Sequence, residues 1–267
     1  MSASCAILIP IYRDELEPLE KFSLAYSLRQ LRPQRDLVFI APTNLDASYY
    51  TSHFPGVVIQ RFDKDYFSSI EGYNRLLLNP EFYEHFASSH EFMLILQTDA
   101  ILLRDDLDHW CSQPWDYVGA PWPDGLEVLL NLDCFGGDLG KKVKVHVGNG
   151  GLSLRRNAAC SRLLKEFPQA TEMFVRTRSS EDLYFSLLGA QSVDFKIPNE
   201  RVASLFSLEL QPERYVAING GKTPMGGHAW WRYNQPFWLG LLDTLPPVLF
   251  PAEEPGRPVL SANEIKP

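Results

Sequence analysis

The residues with the clearest chemical potential are Gln97, Thr98 and Asp99, which close the apolar run Phe92-Met93-Leu94-Ile95-Leu96. A continuous apolar run of this length reads as a buried central strand, and α/β sheets place their ligands at the carboxyl ends of such strands. A carboxylate there suits a divalent cation carrying a diphosphate, because hard oxygen ligands select Mg²⁺ or Mn²⁺ and the phosphate charge needs neutralising. The plainer alternative makes Asp99 a loop or helix-cap aspartate, since Arg104-Asp105-Asp106-Leu107 opens a helix soon afterwards.

Three further stretches could serve the same chemistry. From His146 to Arg156, Gly148, Asn149, Gly150 and Gly151 interrupt what would otherwise be a strand. Glycine in a strand marks close approach of a ligand or of backbone, so a sugar could rest there; an ordinary β-bulge is the alternative. Ser179-Ser180-Glu181-Asp182 places two carboxylates at a helix start behind serines able to cap it, and the helix dipole alone would account for acidic residues in that turn. Gly226-Gly227-His228-Ala229-Trp230-Trp231 sets a flexible dipeptide before a histidine among aromatics, which could turn the imidazole toward a cleft or leave it in the core.

The elements that must position these residues follow a β-α-β pattern. Cys5–Pro10 reads as a strand, Leu16–Leu31 as a helix and Leu37–Ile40 as a second strand. Val57–Ile59 supplies a third strand, Ser68–Leu78 and Pro80–Ala87 supply helices, and Phe92–Gln97 is the fourth strand. A mostly parallel sheet with right-handed crossovers follows. Tyr117–Trp122 reads as a short strand running into a turn, 124–142 as an irregular substrate loop, and Pro246–Pro267 as a proline-rich extended tail after a domain spanning 1–245. No internal repeat is visible.

The whole chain bounds the function. At 267 residues it can bury a sizeable core, and a net charge of -8 argues against a nucleic-acid surface, which needs a basic face. Cys5, Cys111, Cys134 and Cys160 show no CxxC spacing and the amino terminus has no signal-peptide pattern, so reduced thiols in a cytoplasm are expected. No apolar run approaches the roughly 20 residues that cross a bilayer, so membrane contact is expected to be at most peripheral, as at an inner membrane.

Taken in order, Tyr73-Asn74-Arg75-Leu76, Gln97-Thr98-Asp99-Ala100, Asp116–Trp122, Gly148–Arg156, Ser180-Glu181-Asp182 and Gly227-His228-Ala229 make the chain resemble a GT-A glycosyltransferase. The likeness is nearest to glycosyltransferase-like proteins of bacterial surface-polysaccharide biosynthesis, the O-antigen and capsule pathways. It implies a single α/β domain with a Rossmann-like, mostly parallel central sheet flanked by helices. It also implies a nucleotide-sugar donor, UDP by resemblance, a glycan or lipid-linked acceptor, and a Mn²⁺ or Mg²⁺ cofactor.

The same resemblance assigns roles to residues. Asp99 and His228 would hold the cation, and Pro10, Tyr12, Asp63 and Gln97 would lie against the nucleotide. Asp182, with Glu181 as alternate, would be the general base of an inverting transfer. Asn149, Gly150, Gly151, Trp122 and Trp230 would meet the sugar, although the tryptophans and Trp231 could equally be core. The Asp-x-Asp motif usual in this fold reads Gln97-Thr98-Asp99 here, so one carboxylate is missing and weaker or partial metal dependence is expected. A retaining transferase, a nucleotidyltransferase and a catalytically inactive sugar-binding protein are the alternatives. The nucleotidyltransferase lacks its usual glycine-rich basic loop, since the first strand runs into Pro10-Ile11-Tyr12-Arg13-Asp14-Glu15.

Overall fold

The computed structural model describes residues 4–131 and 140–247. The chain opens with β1 (Cys5–Pro10), α1 (Pro18–Gln30), β2 (Asp36–Pro42), α2 (Ser48–His53) and β3 (Val58–Phe62). A 3₁₀ turn over Lys64–Tyr66 leads into α3 (Ile70–Leu77), α4 (Pro80–Ala87), β4 (Phe92–Leu96), β5 (Ile101–Leu102) and α5 (Leu107–Ser112). β6 (Tyr117–Val118), β7 (Pro121–Asn131), β8 (Gly140–Val147) and β9 (Leu152–Arg156) come next. Then follow α6 (Asn157–Glu166), α7 (Pro168–Thr177), α8 (Glu181–Gly189), α9 (Glu200–Phe206), β10 (Ser207–Leu208), α10 (Pro212–Ile218), β11 (Gly226–Gly227) and α11 (Gln235–Leu239).

The main sheet runs β3-β2-β1-β4-β9-β6. Its first four strands are parallel, with Leu8 opposite Ile95, and β9 runs antiparallel to both β4 and β6. β1 and β4 are buried along their whole length because helices cover both faces, which is why their sequences are continuously apolar. Ile7, Ile9, Leu94 and Leu96 face one half of the core with Leu24 and Phe206. Leu8, Met93 and Ile95 face the other half with Phe82, Leu163 and Phe185. This is the expected mixed α/β architecture, a central sheet flanked by helices in a single domain. No helix among the described residues is long and apolar enough to cross a membrane.

Helix starts follow local chemistry at α3 and α4. Ser69 accepts from the Gly72 amide, and Asn79 accepts from Glu81 with Pro80 in the first turn. At α8 the expectation fails. Ser180 occupies the capping position but its hydroxyl makes no cap bond, and the Ser179 hydroxyl pairs with Thr177 instead.

The described part of 124–142 is strand, not irregular loop. β7 and β8 form an antiparallel hairpin with Leu126 opposite Val145 and Val128 opposite Val143. The alternation Lys142-Val143-Lys144-Val145-His146-Val147 has the period of a half-buried strand, its valines turned inward and the residues between them exposed. Asp124 and Gly125 both take positive φ where the register shifts between Pro121 and Leu126, and that irregularity hides the strand in the sequence. Residues 132–139, and all but the first two residues of the expected tail from Pro246, lie outside the described residues.

One buried ion pair ties β9 to α8. The Arg155 guanidinium donates to Glu181 Oε1 at 3.0 Å, to Ser153 Oγ at 3.0 Å and to the Tyr83 hydroxyl at 2.9 Å. It also lies 5.2 Å from the centre of the Tyr117 ring and 5.4 Å from that of Phe185. Arginine does not shed its proton, so the buried charge needs Glu181 as its counter-ion. Arg155→Met is therefore expected to lower unfolding free energy by about 3–5 kcal/mol. Adding Glu181→Leu should restore much of that loss. Both are read from urea unfolding midpoints, and equal midpoints for wild type and Arg155→Met would refute the assignment.

Candidate active site

A cavity of about 570 Å³ opens at the carboxyl ends of β1 and β4, where Pro10, Tyr12, Gln97 and Asp99 line it together with Asn149, Gly150, Gly151, Glu181, Asp182 and His228. Five stretches far apart in sequence thus meet in one cleft. The turn after β4 is closed by Gln97 donating to the Gly151 carbonyl and Ala100 to the Gln97 carbonyl, both at 2.9 Å. The buried Thr98 hydroxyl donates to Glu20 of α1 at 2.9 Å, which turns the side chains of Gln97 and Asp99 outward on either side.

His228 arrives from the opposite wall. It follows β11, which pairs with β10 in parallel and with β5 antiparallel, and its amide donates to the Leu208 carbonyl at 3.0 Å. The two glycines before it provide close packing, not flexibility: a Cβ on Gly226 would lie 2.4 Å from the Ile101 carbonyl, and one on Gly227 would lie 2.1 Å from the Trp238 ring. The imidazole lies against Gly151, where a Cβ would come within 2.2 Å of Nε2. Nε2 stands 3.1 Å from both Gln97 Oε1 and Asp99 Oδ1. Arg232 reaches Asp99 Oδ2 at 3.5 Å from the cleft rim.

Charge in this cluster is mutually compensated. Burial opposes protonation of His228, but the hydrogen bond to Asp99 and the charges of Asp99 and Glu209 outweigh it and push the imidazole up to about 10. Burial raises the Asp99 carboxyl, and the His228 hydrogen bond with the charges of His228 and Arg232 brings it below its usual range. Protonated, Nε2 has no lone pair for a metal, so this donor set would take a cation shared with a diphosphate only as the cation displaces that proton. A carboxylate oxygen and an amide oxygen, both hard ligands, converge on the imidazole nitrogen. Among the described residues no group of three or more His, Cys, Asp and Glu side chains is arranged to hold a metal, so a substrate would have to complete the shell.

Other expected residues fall elsewhere. Trp230 is fully buried, donates to Ser23 at 2.8 Å and packs in a cluster with Leu19, Tyr215 and Trp238, so it cannot stack on a sugar. Trp122 covers Gly148, whose Cβ would overlap its ring, and does not line the cleft. Asp63 is exposed and accepts from the Asp65 amide, capping its own turn. The neighbouring Lys64 and Asp65 line an adjoining cavity of about 480 Å³ that shares Tyr12, Phe67 and Ser68 with the cleft. Glu181 Oε1 is engaged by Arg155, whereas Asp182 is half-buried, lines the cleft and, among the described residues, accepts from the Leu183 amide.

Sequence reasoning missed Arg13, Glu20, Glu209 and Arg232. Arg13 lines the cleft and donates to Glu20 at 2.8 Å. Glu17 and Glu20 form a capping box at the start of α1, the one local signal that could have drawn attention there.

Residues 56–228 match the family described as a protein of unknown function, DUF5672, and the chain belongs to that family. No curated protein matches the sequence. Among solved structures, an active-site mutant of LgtC aligns over 91% of this chain and 98% of its own at 12% identity, with a TM-score of 0.52. The apo form of the glycosyltransferase GlyE from Streptococcus pneumoniae TIGR4 aligns over 85% of this chain at 13% identity, with a TM-score of 0.46. The chain spans about half the length of GlyE, 54%. The LgtC likeness establishes a shared fold.

The pair in the cleft predicts a pH dependence of cation-free stability. The Asp99 contribution is present above its unfolded value of about 3.9 and is lost as pH falls below it. The His228 contribution is complete below its unfolded value of about 6.5 and is lost as pH rises from there through about 10. Melting temperature should therefore decline from pH 6.5 to 10, and His228→Asn should flatten that decline. Parallel curves for the two proteins would remove His228 as its source.

Proposed function

We propose that this DUF5672 protein is a glycosyltransferase that uses a nucleotide-sugar donor. The observation that carries the reading is the meeting of Asp99, His228 and Asp182 in one cleft at the carboxyl end of the central parallel strands. The finer assignment is a UDP-sugar donor, an inverting transfer and a glycan or lipid-linked acceptor of a bacterial surface polysaccharide. It draws on the sequence resemblance and on the adjoining cavity beside Tyr12, where a nucleoside would lie.

Transfer from an anomeric carbon builds positive charge on the sugar and negative charge on the departing diphosphate. Asp99 and His228, with the Gln97 amide oxygen, would hold a Mn²⁺ or Mg²⁺ ion, which when bound neutralises the diphosphate. Arg232 and Arg13 line the same cleft and bring cationic side chains to the leaving group. Asp182 takes the proton of the acceptor hydroxyl as it attacks, since its carboxylate lines the cleft and has no ion pair among the described residues. Glu181 anchors the base by holding the start of α8 on Arg155.

Gln97, in place of a second carboxylate, favours one further reading, a sugar-binding protein without transfer activity. Incubation of the purified chain with UDP-sugars and Mn²⁺ separates the two: nucleotide release with a glycan acceptor marks the enzyme, and stabilisation without release marks the binding protein. If no nucleotide sugar raises the melting temperature, both readings fail.

Asp182→Asn keeps the size and fold of the site and should reduce transfer by about 10²–10⁴-fold. Unchanged turnover would exclude Asp182 as the base. Asp99→Ala and His228→Ala should each weaken Mn²⁺-dependent UDP binding in calorimetric titrations, and the double variant should lose less than the sum because both act through one ion. Strict additivity would exclude a shared ion.

A further inference from the structure

Behind His228, on the side away from the cleft cluster, stands a carboxylate that nothing in the sequence pointed to. Glu209 directly follows β10 as His228 directly follows β11, and the parallel register of Ser207 with Gly226 and Leu208 with Gly227 brings the two residues level at the ends of adjacent strands. Glu209 is buried, 9% exposed, and its Oε2 lies 3.6 Å from His228 Nδ1. That is a few tenths of an ångström beyond a hydrogen bond. Both atoms are buried and neither has another hydrogen-bond partner among the described residues, so nothing competes for either. A buried carboxylate left unpaired costs free energy, and a buried imidazole N–H has the same need.

We infer that Glu209 is a positioning residue of this site: its carboxylate takes the Nδ1 hydrogen of His228 and thereby presents Nε2 to Gln97 and Asp99. The imidazole has one face closed by Gly151, and the alternative that leaves the ring in place is a half-turn about Cβ–Cγ, which exchanges Nδ1 with Cδ2 and Nε2 with Cε1. A carboxylate on the Nδ1 side selects one edge. Metal-binding histidines are commonly oriented this way, with the second nitrogen held by a carboxylate. The inference rests on the proposed function only where it assigns Nε2 to a cation.

The test uses the full chain, with Glu209→Gln as the variant that keeps an acceptor and Glu209→Leu as the one that removes it; Glu209→Ala serves if the leucine variant fails to fold. In cation-free protein labelled with ¹⁵N-histidine, a protected Nδ1–H gives a downfield ¹H–¹⁵N cross-peak, assigned to His228 by its loss in His228→Asn and told from Nε2–H by the ring's two-bond ¹H–¹⁵N couplings. The cross-peak should persist in wild type and Glu209→Gln and be lost in Glu209→Leu through exchange with water. With UDP as the probe nucleotide, Mn²⁺ affinity should fall about 10–100-fold in Glu209→Leu and stay near wild type in Glu209→Gln. A cross-peak absent from wild type, or undiminished in folded Glu209→Leu, overturns the inference, as does unchanged Mn²⁺ affinity in that variant. If wild type binds no Mn²⁺ with UDP, the cation assignment of the proposed function fails. The cross-peak then decides the role of Glu209 by itself.

Discussion

Everything on the β9 side of the cleft depends on one buried cation. Arg155 has no exposed surface, and its charge is balanced by Glu181, by two hydroxyl acceptors and by the faces of Tyr117 and Phe185. Those partners come from α8, β9, α4 and β6, so satisfying the guanidinium fixes four elements relative to one another. A buried pair of this kind adds little net stability over an apolar core, but it tolerates few alternative arrangements. Its position beneath Gly150 explains why that residue is glycine, because a Cβ there would lie 2.3 Å from Glu181 Oε1. The ion pair thereby sets both the start of α8, where Asp182 sits, and the floor of the cleft beside it.

The opposite wall is built by close approach. β5, β10 and β11 are two-residue strands, too short for their ladders alone to hold an imidazole in place. Gly226 and Gly227 bring the backbone against Ile101 and Trp238, and Gly151 lets the ring of His228 lie flat on the connection between β8 and β9. The fully buried Trp230 and Trp238 close this layer from behind. These tryptophans pack behind the backbone that carries His228 and do not line the cleft.

Between the two walls, the turn after β4 carries less negative charge than an Asp-x-Asp motif would. Gln97 contributes an amide oxygen, Thr98 is turned inward onto Glu20, and Asp99 shares its charge with His228 and Arg232. A cation here would depend on its phosphate ligands more heavily than one held by two carboxylates. The Arg13 and Arg232 side chains bring positive charge to the same cleft from α1's approach and from the segment after β11. Leaving-group stabilisation would then be divided between ion and protein.

The sequence by itself determined the central sheet and most of the chemistry-bearing residues. Continuous apolar runs at Cys5–Pro10 and Phe92–Leu96 can be satisfied only by burial on both faces, and a ligand cleft at their carboxyl ends follows from that topology. It also marked Asp99 as a carboxylate ending an apolar strand, and His228 as a histidine after two glycines, while Asp182 drew its role from the family resemblance. The tertiary structure alone decided which of the marked residues meet. Trp122, Trp230 and Asp63 carry the same local signals as true cleft residues, yet packing and turn-capping claim them. Glu20, Glu209 and Arg155 look like ordinary charged positions and are buried only because distant segments fold over them. Burial of a charge depends on contacts between segments far apart in sequence, and no local pattern encodes which segments those will be.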